Sequence, residues 1–138
     1  MRIVVENLQK KIRISPDKIK KIAYKINLPP KFTNLKLVLY FIRNSLVKKL
    51  NKQFFHKNSL TDVISFYLTK DYAEVFIAPC VVKNNAVLYK ANFREELYRC
   101  IIHGVLHVLG YKDGTKKHKF KMWKRQESLL RKLIYEKD

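Results

Sequence analysis

The chain is poor in several things, and each shortage excludes something. It has three glycines in 138 residues, no low-complexity stretch and no internal repeat, which leaves no flexible linker on which to divide it. It has two cysteines, Cys80 and Cys100, far apart, set mostly among apolar neighbours and forming no C-x-x-C pair. That pattern suits reduced thiols in a cytosolic protein better than a disulfide framework. No apolar run approaches the length of a membrane span. The opening "MRIVVENLQKKIR" has only a short apolar run and no cleavage-site pattern, so no signal peptide is expected. A soluble, cytoplasmic protein with no membrane partner is the expectation. Acidic residues are the last shortage: 11 Asp and Glu stand against 30 Lys and Arg, a formal net charge of +19.

What is present is enough for a core. A hydrophobic fraction of 47%, with eight Phe and eight Tyr, indicates a folded globule rather than disorder. One domain over residues 1–138 is expected from the length. So basic a chain repels itself unless it works beside a polyanion, and nucleic acid is the first candidate because Lys and Arg displace counterions from phosphates. The plainer reading is a lysine-rich surface that is simply solvated.

Local signals give an element order. "RIVVEN" reads as a strand. "SPDKIKKIAYKIN" reads as a helix with Ser15 as N-cap, Pro16 at its first position and Asp17 in its first turn. Its stripe is Ile19, Ile22, Ala23 and Ile26, and Pro29 and Pro30 end it. Leu35 to Ile42 reads as a strand buried on both faces, and a helix over Ser45 to Phe54 follows with Leu46, Val47 and Leu50 inward. Asp62 to Leu68 and Ala73 to Ala78 are two more strands joined by "TKDY". A helix begins near Pro79. Another runs from an Asn92 cap, with Glu95 three residues on, to a stop at Gly110, and its apolar second half marks a buried axis. The last helix, Lys116 to Glu136, carries Phe120, Trp123, Leu130 and Ile134 along its expected inner stripe. The predicted class is α/β (α+β): a single domain with a small mixed sheet of about four strands, helices packed on it, and a central buried helix.

That central helix carries the chemistry. His103 and His107 are four residues apart, on one helix face and about 6 Å apart along the axis, so both imidazoles can reach one tetrahedral ion. The alternative is two histidines satisfied inside a core, although burying them side by side without a shared partner wastes hydrogen-bonding capacity. Asp113 is the preferred third ligand. On a continuous helix it would lie about 15 Å from His103, but a helix that stops at Gly110 lets the chain turn back. Two imidazoles and a carboxylate leave a fourth position for water, the pattern of a catalytic zinc site. His118 is the competing ligand. In the H-E-x-x-H pattern of metallopeptidases the residue after the first histidine is the general base, and here it is Gly104. A small metallopeptidase is therefore the least favoured reading.

The run "HGVLHVLGYKD" resembles the signature of the YbeY endoribonucleases, bacterial ribosomal-RNA maturation factors, in which H-G-x-L-H-x-x-G-Y is followed two positions on by the third metal ligand. "LN" at Leu50 and Asn51, "TDVISF" at Thr61 to Phe66 and "AEVFIA" at Ala73 to Ala78 are similar to that family's other blocks, in the same order. The resemblance covers nearly all the chain from Leu35 onward. It implies one zinc ion per chain on His103, His107 and Asp113, an activated metal-bound water, and no assigned general base. It also implies cleavage of single-stranded RNA in 16S ribosomal RNA 3′-end maturation and ribosome quality control, with the small ribosomal subunit as partner. Two departures matter. The family's usual third ligand is histidine, so Asp113 implies a working site of altered affinity. An arginine that many members carry after the L-N pair aligns with Phe55, which cannot hold a phosphate; Lys57 or Lys112 would have to substitute. That loss keeps a second function in view, a non-catalytic RNA-binding ribosome-assembly factor with a structural metal.

Other residues have paired readings. Thr61, Asp62 and Ser65 either line the cleft or organise the turn into the strand. Glu74 is a possible proton acceptor, but a solvated strand carboxylate is the simpler role. Phe54 and Phe55 either stack on unpaired bases or pack as core and rim. Lys112, Lys116, Lys117, Lys119 and Lys121 surround the site in sequence; they either form a solvated face or touch phosphates.

Overall fold

The computed structural model describes residues 1–135. Its elements are β1 (Arg2–Asn7), α1 (Pro16–Tyr24), a 3-10 turn (Pro30–Phe32), β2 (Lys36–Phe41), α2 (Asn44–Phe55), β3 (Val63–Thr69), β4 (Tyr72–Ile77), α3 (Pro79–Leu88), α4 (Phe93–Val108) and α5 (Lys116–Tyr135). The four strands form one sheet in the order β1-β2-β4-β3. β1, β2 and β4 are parallel and β3 runs antiparallel beside β4, so the expected mixed sheet is present. No helix among the described residues is long and apolar enough to cross a membrane.

The sheet's pleat sorts side chains onto two faces. Ile3, Leu37, Leu39, Phe41, Ala73, Val75 and Ile77 point into the larger core, which α1, α4 and α5 complete. On the other face Ile42 and Ile64 form a smaller cluster with Val47 of α2 and Ala78. β2 is thus buried on both sides, as its unbroken apolar run predicts.

Helix ends follow the local chemistry. Ser15 Oγ accepts from the Lys18 amide at the start of α1. α1 stops at Tyr24 because the Lys25 and Ile26 amides tighten onto the carbonyls of Ile22 and Ala23, and Ile26 is still buried just beyond it. Asn92 Oδ1 accepts from the amides of Arg94 and Glu95 and caps α4.

One expectation is overturned. Phe120 and Trp123 are not on the inner stripe of α5: they are 62% and 56% exposed, with their rings 6.2 Å apart. The buried stripe is instead Met122, Gln126, Leu129 and Leu130, with Leu133 and Ile134 partly buried against the core. One residue is about 100° of helix rotation, so docking through Met122 turns Trp123 outward. Leu130 and Ile134 do face the core, as their spacing predicts. The expected end of this helix, Glu136, lies outside the described residues.

Candidate metal centre

α4 packs on β3 and β4 through a glycine. A Cβ on Gly104 would lie 2.6 Å from Val75 Cγ1 and 2.9 Å from Val63 Cγ2. Ser65 Oγ donates a hydrogen bond to the Gly104 carbonyl at 2.8 Å, fixing the same approach from β3. The residue that replaces a peptidase's glutamate is therefore pressed against the sheet. His103 and His107 lie on the half-buried side of the helix.

The helix ends in a Schellman turn. The Gly110 amide donates to the His107 carbonyl and the Tyr111 amide to the Leu106 carbonyl, with Gly110 at φ +100°. That backbone conformation is one that glycine adopts without steric cost. The turn does two things for the site. It returns the chain so that Asp113 Oδ2 lies 3.3 Å from His107 Nε2. It also places the Tyr111 carbonyl to accept from His107 Nδ1 at 3.0 Å.

His103 Nδ1 is engaged too, donating to Gln126 Oε1 of α5 at 2.8 Å. With both Nδ1 atoms donating, the two Nε2 atoms face one another at 3.2 Å as lone-pair acceptors. Two imidazole lone pairs and a carboxylate, with all ligand atoms within 4.8 Å of one another, make a donor set that a divalent cation satisfies. His103, His107 and Asp113 could hold a metal ion, and Asp113 brings the needed charge from a 55%-exposed position open to solvent. His118 lies apart from this group: it is exposed at the start of α5, where its amide bonds Thr115 Oγ1.

Two clefts meet at His103. One, of about 250 Å³, is lined by His103, Asp113, Lys119, Met122, Trp123 and Gln126. The other, of about 270 Å³, is lined by residues that include Asp62, Glu96, Arg99 and Cys100 with His103 and Gln126. Arg99 is fully engaged there. Its guanidinium bonds both oxygens of Glu127 at 3.0 Å, lies 3.5 Å from Glu95 and contacts Glu96. Burial pushes the Glu127 carboxyl up, but hydrogen bonds from Arg99 and Gln126 and the charge of Arg99 outweigh it and hold the group below the usual range. Burial, and then the charges of Asp62 and Glu96, push the Cys100 thiol up, and both cysteines are free.

The remaining sequence candidates are scattered. Asp62 lines the second cleft, and its carbonyl accepts from the Ala78 amide. Thr61 is half-buried just before β3, and Ser65 points at the α4 backbone. Lys57 is exposed in the loop after α2, and Lys112 lines a surface pocket with His118 and Lys121. Glu74 is half-buried and accepts from the Tyr72 hydroxyl at 2.9 Å. Phe55, 46% exposed, stacks on Phe66 at 6.1 Å, and Phe54 meets the same ring edge-on at 5.2 Å. Sequence reasoning missed Gln126 and the Tyr111 carbonyl. The signal for Gln126 was a single polar residue within an apolar helical stripe.

Proteins named endoribonuclease YbeY from Chlorobium phaeobacteroides and Cytophaga hutchinsonii are 32% and 33% identical to this chain. The first alignment covers 71% of both chains; the second covers 72% of this chain and 73% of its relative. Across similar relatives the aligned share of the relative falls as low as 53%. The solution structure of a Thermotoga maritima protein has the same fold, with a TM-score of 0.67 at 22% identity over 95% of this chain and 88% of the other. The sequence profile of the endoribonuclease YbeY family matches residues 4–134, and the chain belongs to that family.

Proposed function

We propose that this chain is a metal-dependent endoribonuclease that cuts single-stranded RNA, with Zn²⁺, one per chain, held by His103, His107 and Asp113. The observation that carries the reading is the convergence of two imidazole Nε2 atoms and one carboxylate at the mouth of a cleft, in a chain of this family. When bound, the ion supplies Lewis acidity at the scissile phosphodiester. The chain's own residues do the rest. Gln126 and the Tyr111 carbonyl aim the imidazoles, and Lys119 in the same cleft offers a cation to a phosphate. Trp123, half out of the surface beside it, offers a ring on which an unpaired base can stack. A net charge of +19 draws in the RNA backbone. We place the activity in maturation of the 16S ribosomal RNA 3′ end and in ribosome quality control, with the small ribosomal subunit as partner, the cytoplasm as location and residues 1–138 as one domain.

Phe55 favours a second reading, an RNA-binding assembly factor with a structural metal. Its ring packs on Phe66 and brings no charge to the position where many family members carry arginine. The peptidase reading has no support at Gly104, where the sheet leaves no room even for a Cβ. One assay decides. Purified protein is incubated with labelled single-stranded RNA, with and without a chelator, beside His107→Ala. The nuclease reading expects cleavage that chelator and substitution both abolish; RNA that is bound but stays intact at every protein concentration sinks it in favour of the second.

A further inference from the structure

We infer that Gln126 is a positioning residue for the metal centre, and that Glu127 and Arg99 act through it by fixing which way its amide faces. The inference rests on the metal-binding reading of His103, His107 and Asp113 and extends it to α5, which carries none of those ligands.

The two histidines are oriented by different means. His107 takes its direction from a backbone carbonyl four residues ahead, in the Schellman turn that ends its own helix. His103 depends on a side chain from another helix, 23 residues away. Gln126 is 7% exposed and is one of three buried polar residues among those described. The other two serve their own neighbourhoods: Gln9 bonds Asn7 and Ile12, and Asn51 bonds Ser59. Gln126 instead joins α5 to the imidazole.

An amide has an accepting end and a donating end, so its orientation carries information. With Oε1 toward His103, the imidazole must place its proton on Nδ1, which leaves Nε2 free to ligate. Turned over, the amide would donate to Nδ1 and drive the proton onto Nε2, where it blocks the metal. The neighbour decides between these states. Glu127 Oε2 lies 3.2 Å from Gln126 Nε2, and an ionised carboxylate can only accept, so the amide nitrogen faces Glu127 and the oxygen faces His103. Arg99 in turn grips both oxygens of Glu127 and is itself held by Glu95 and Glu96 of α4. The path therefore leaves α4 at Arg99, passes through two residues of α5 and returns to α4 at His103. Docking of α5 and readiness of the metal site are one arrangement.

The test uses Zn²⁺ alone, in competition with a chromophoric chelator, together with imidazole ¹⁵N shifts of the metal-free protein. The wild type should show His103 protonated on Nδ1. Gln126→Leu, which fills the site without an acceptor, should bind Zn²⁺ about 10–100-fold more weakly, the usual loss for an outer partner of a ligating histidine. The double variant Gln126→Glu/Glu127→Gln exchanges amide and carboxylate, keeps an acceptor on Nδ1, and should recover most of that loss. Wild-type affinity in Gln126→Leu would overturn the inference. So would a wild-type His103 protonated on Nε2, a result that stands even if Gln126→Leu does not fold. Failure of the wild type to bind Zn²⁺ would instead overturn the metal reading, while the tautomer measurement still decides what Gln126 does.

Discussion

Gly104→Ala should destabilise the protein even though alanine is the better helix former. In an exposed helix interior the exchange gains about 1 kcal/mol. Here the new methyl would sit 2.6 Å from Val75 Cγ1 and 2.9 Å from Val63 Cγ2, and 3.3 Å from Ser65 Oγ. Val75 is fully buried on β4 and has no space to yield, whereas Val63, at the sheet edge, is only partly enclosed. Two contacts below 3.0 Å, one of them on a fully buried methyl, place the cost in the upper part of the overpacking range, about 2–3 kcal/mol, so after the helix gain the net loss is about 1–2 kcal/mol. For a chain of this size that lowers the melting temperature by about 3–6 °C. Urea unfolding of the metal-free protein should show a lower midpoint at an unchanged slope. Combining Gly104→Ala with Val75→Ala should cost less than the two single changes summed, by at least about 0.5 kcal/mol, since the second removes the obstructing methyl. A Gly104→Ala protein as stable as the wild type would refute the account of how α4 lies on the sheet.

Further outcomes follow from the same geometry. Gly110→Ala forces a side chain into the φ +100° turn and should cost about 1 kcal/mol. It should also weaken Zn²⁺ binding, because Asp113 and the Tyr111 carbonyl both depend on that turn; unchanged affinity by chelator competition would contradict this. Trp123→Ala should weaken binding of single-stranded RNA by about 1–3 kcal/mol, read by fluorescence anisotropy, while the melting temperature hardly moves because the ring is more than half exposed. Glu127 has its folded-state pKa lowered, so its contribution to stability is present above the ordinary glutamate range and fades as pH falls through the folded value. Glu127→Gln should therefore flatten the acid limb of a stability-versus-pH profile, and an unaltered limb would count against the Arg99 pairing. Iodoacetamide should label half-buried Cys80 in the native protein and spare Cys100, whose thiol is buried and held protonated.

Much of this fold is legible because its signals are local. Ser15 and Asn92 cap helices as their side-chain chemistry dictates, and the apolar run of β2 reports burial on two faces. Gly110 announces both the end of α4 and the return of Asp113, so the three converging ligand atoms could be read from the eleven residues His103 to Asp113. The phase of α5 could not. Phe120 and Trp123 are large aromatic residues, yet docking turns them outward and buries a glutamine. Composition ranks side chains by hydrophobicity, whereas the docked helix is aligned by what α4 offers across the interface, here His103 and Arg99. In the sequence Gly104 shows only as a missing base; its packing role depends on Val63 of β3 and Val75 of β4, which lie 41 and 29 positions earlier in the chain, and no local pattern reveals it.

The central claim is that His103, His107 and Asp113 hold an ion on which RNA cleavage depends. Its most direct test is to strip the protein of metal, add back Zn²⁺ in steps, and follow cleavage of a labelled single-stranded RNA at each step. The account predicts no cleavage by the stripped protein, a rise that levels off at one equivalent of Zn²⁺ per chain, and no rise in His107→Ala. Cleavage by the stripped protein at the full rate, or an equal response in His107→Ala, would contradict it.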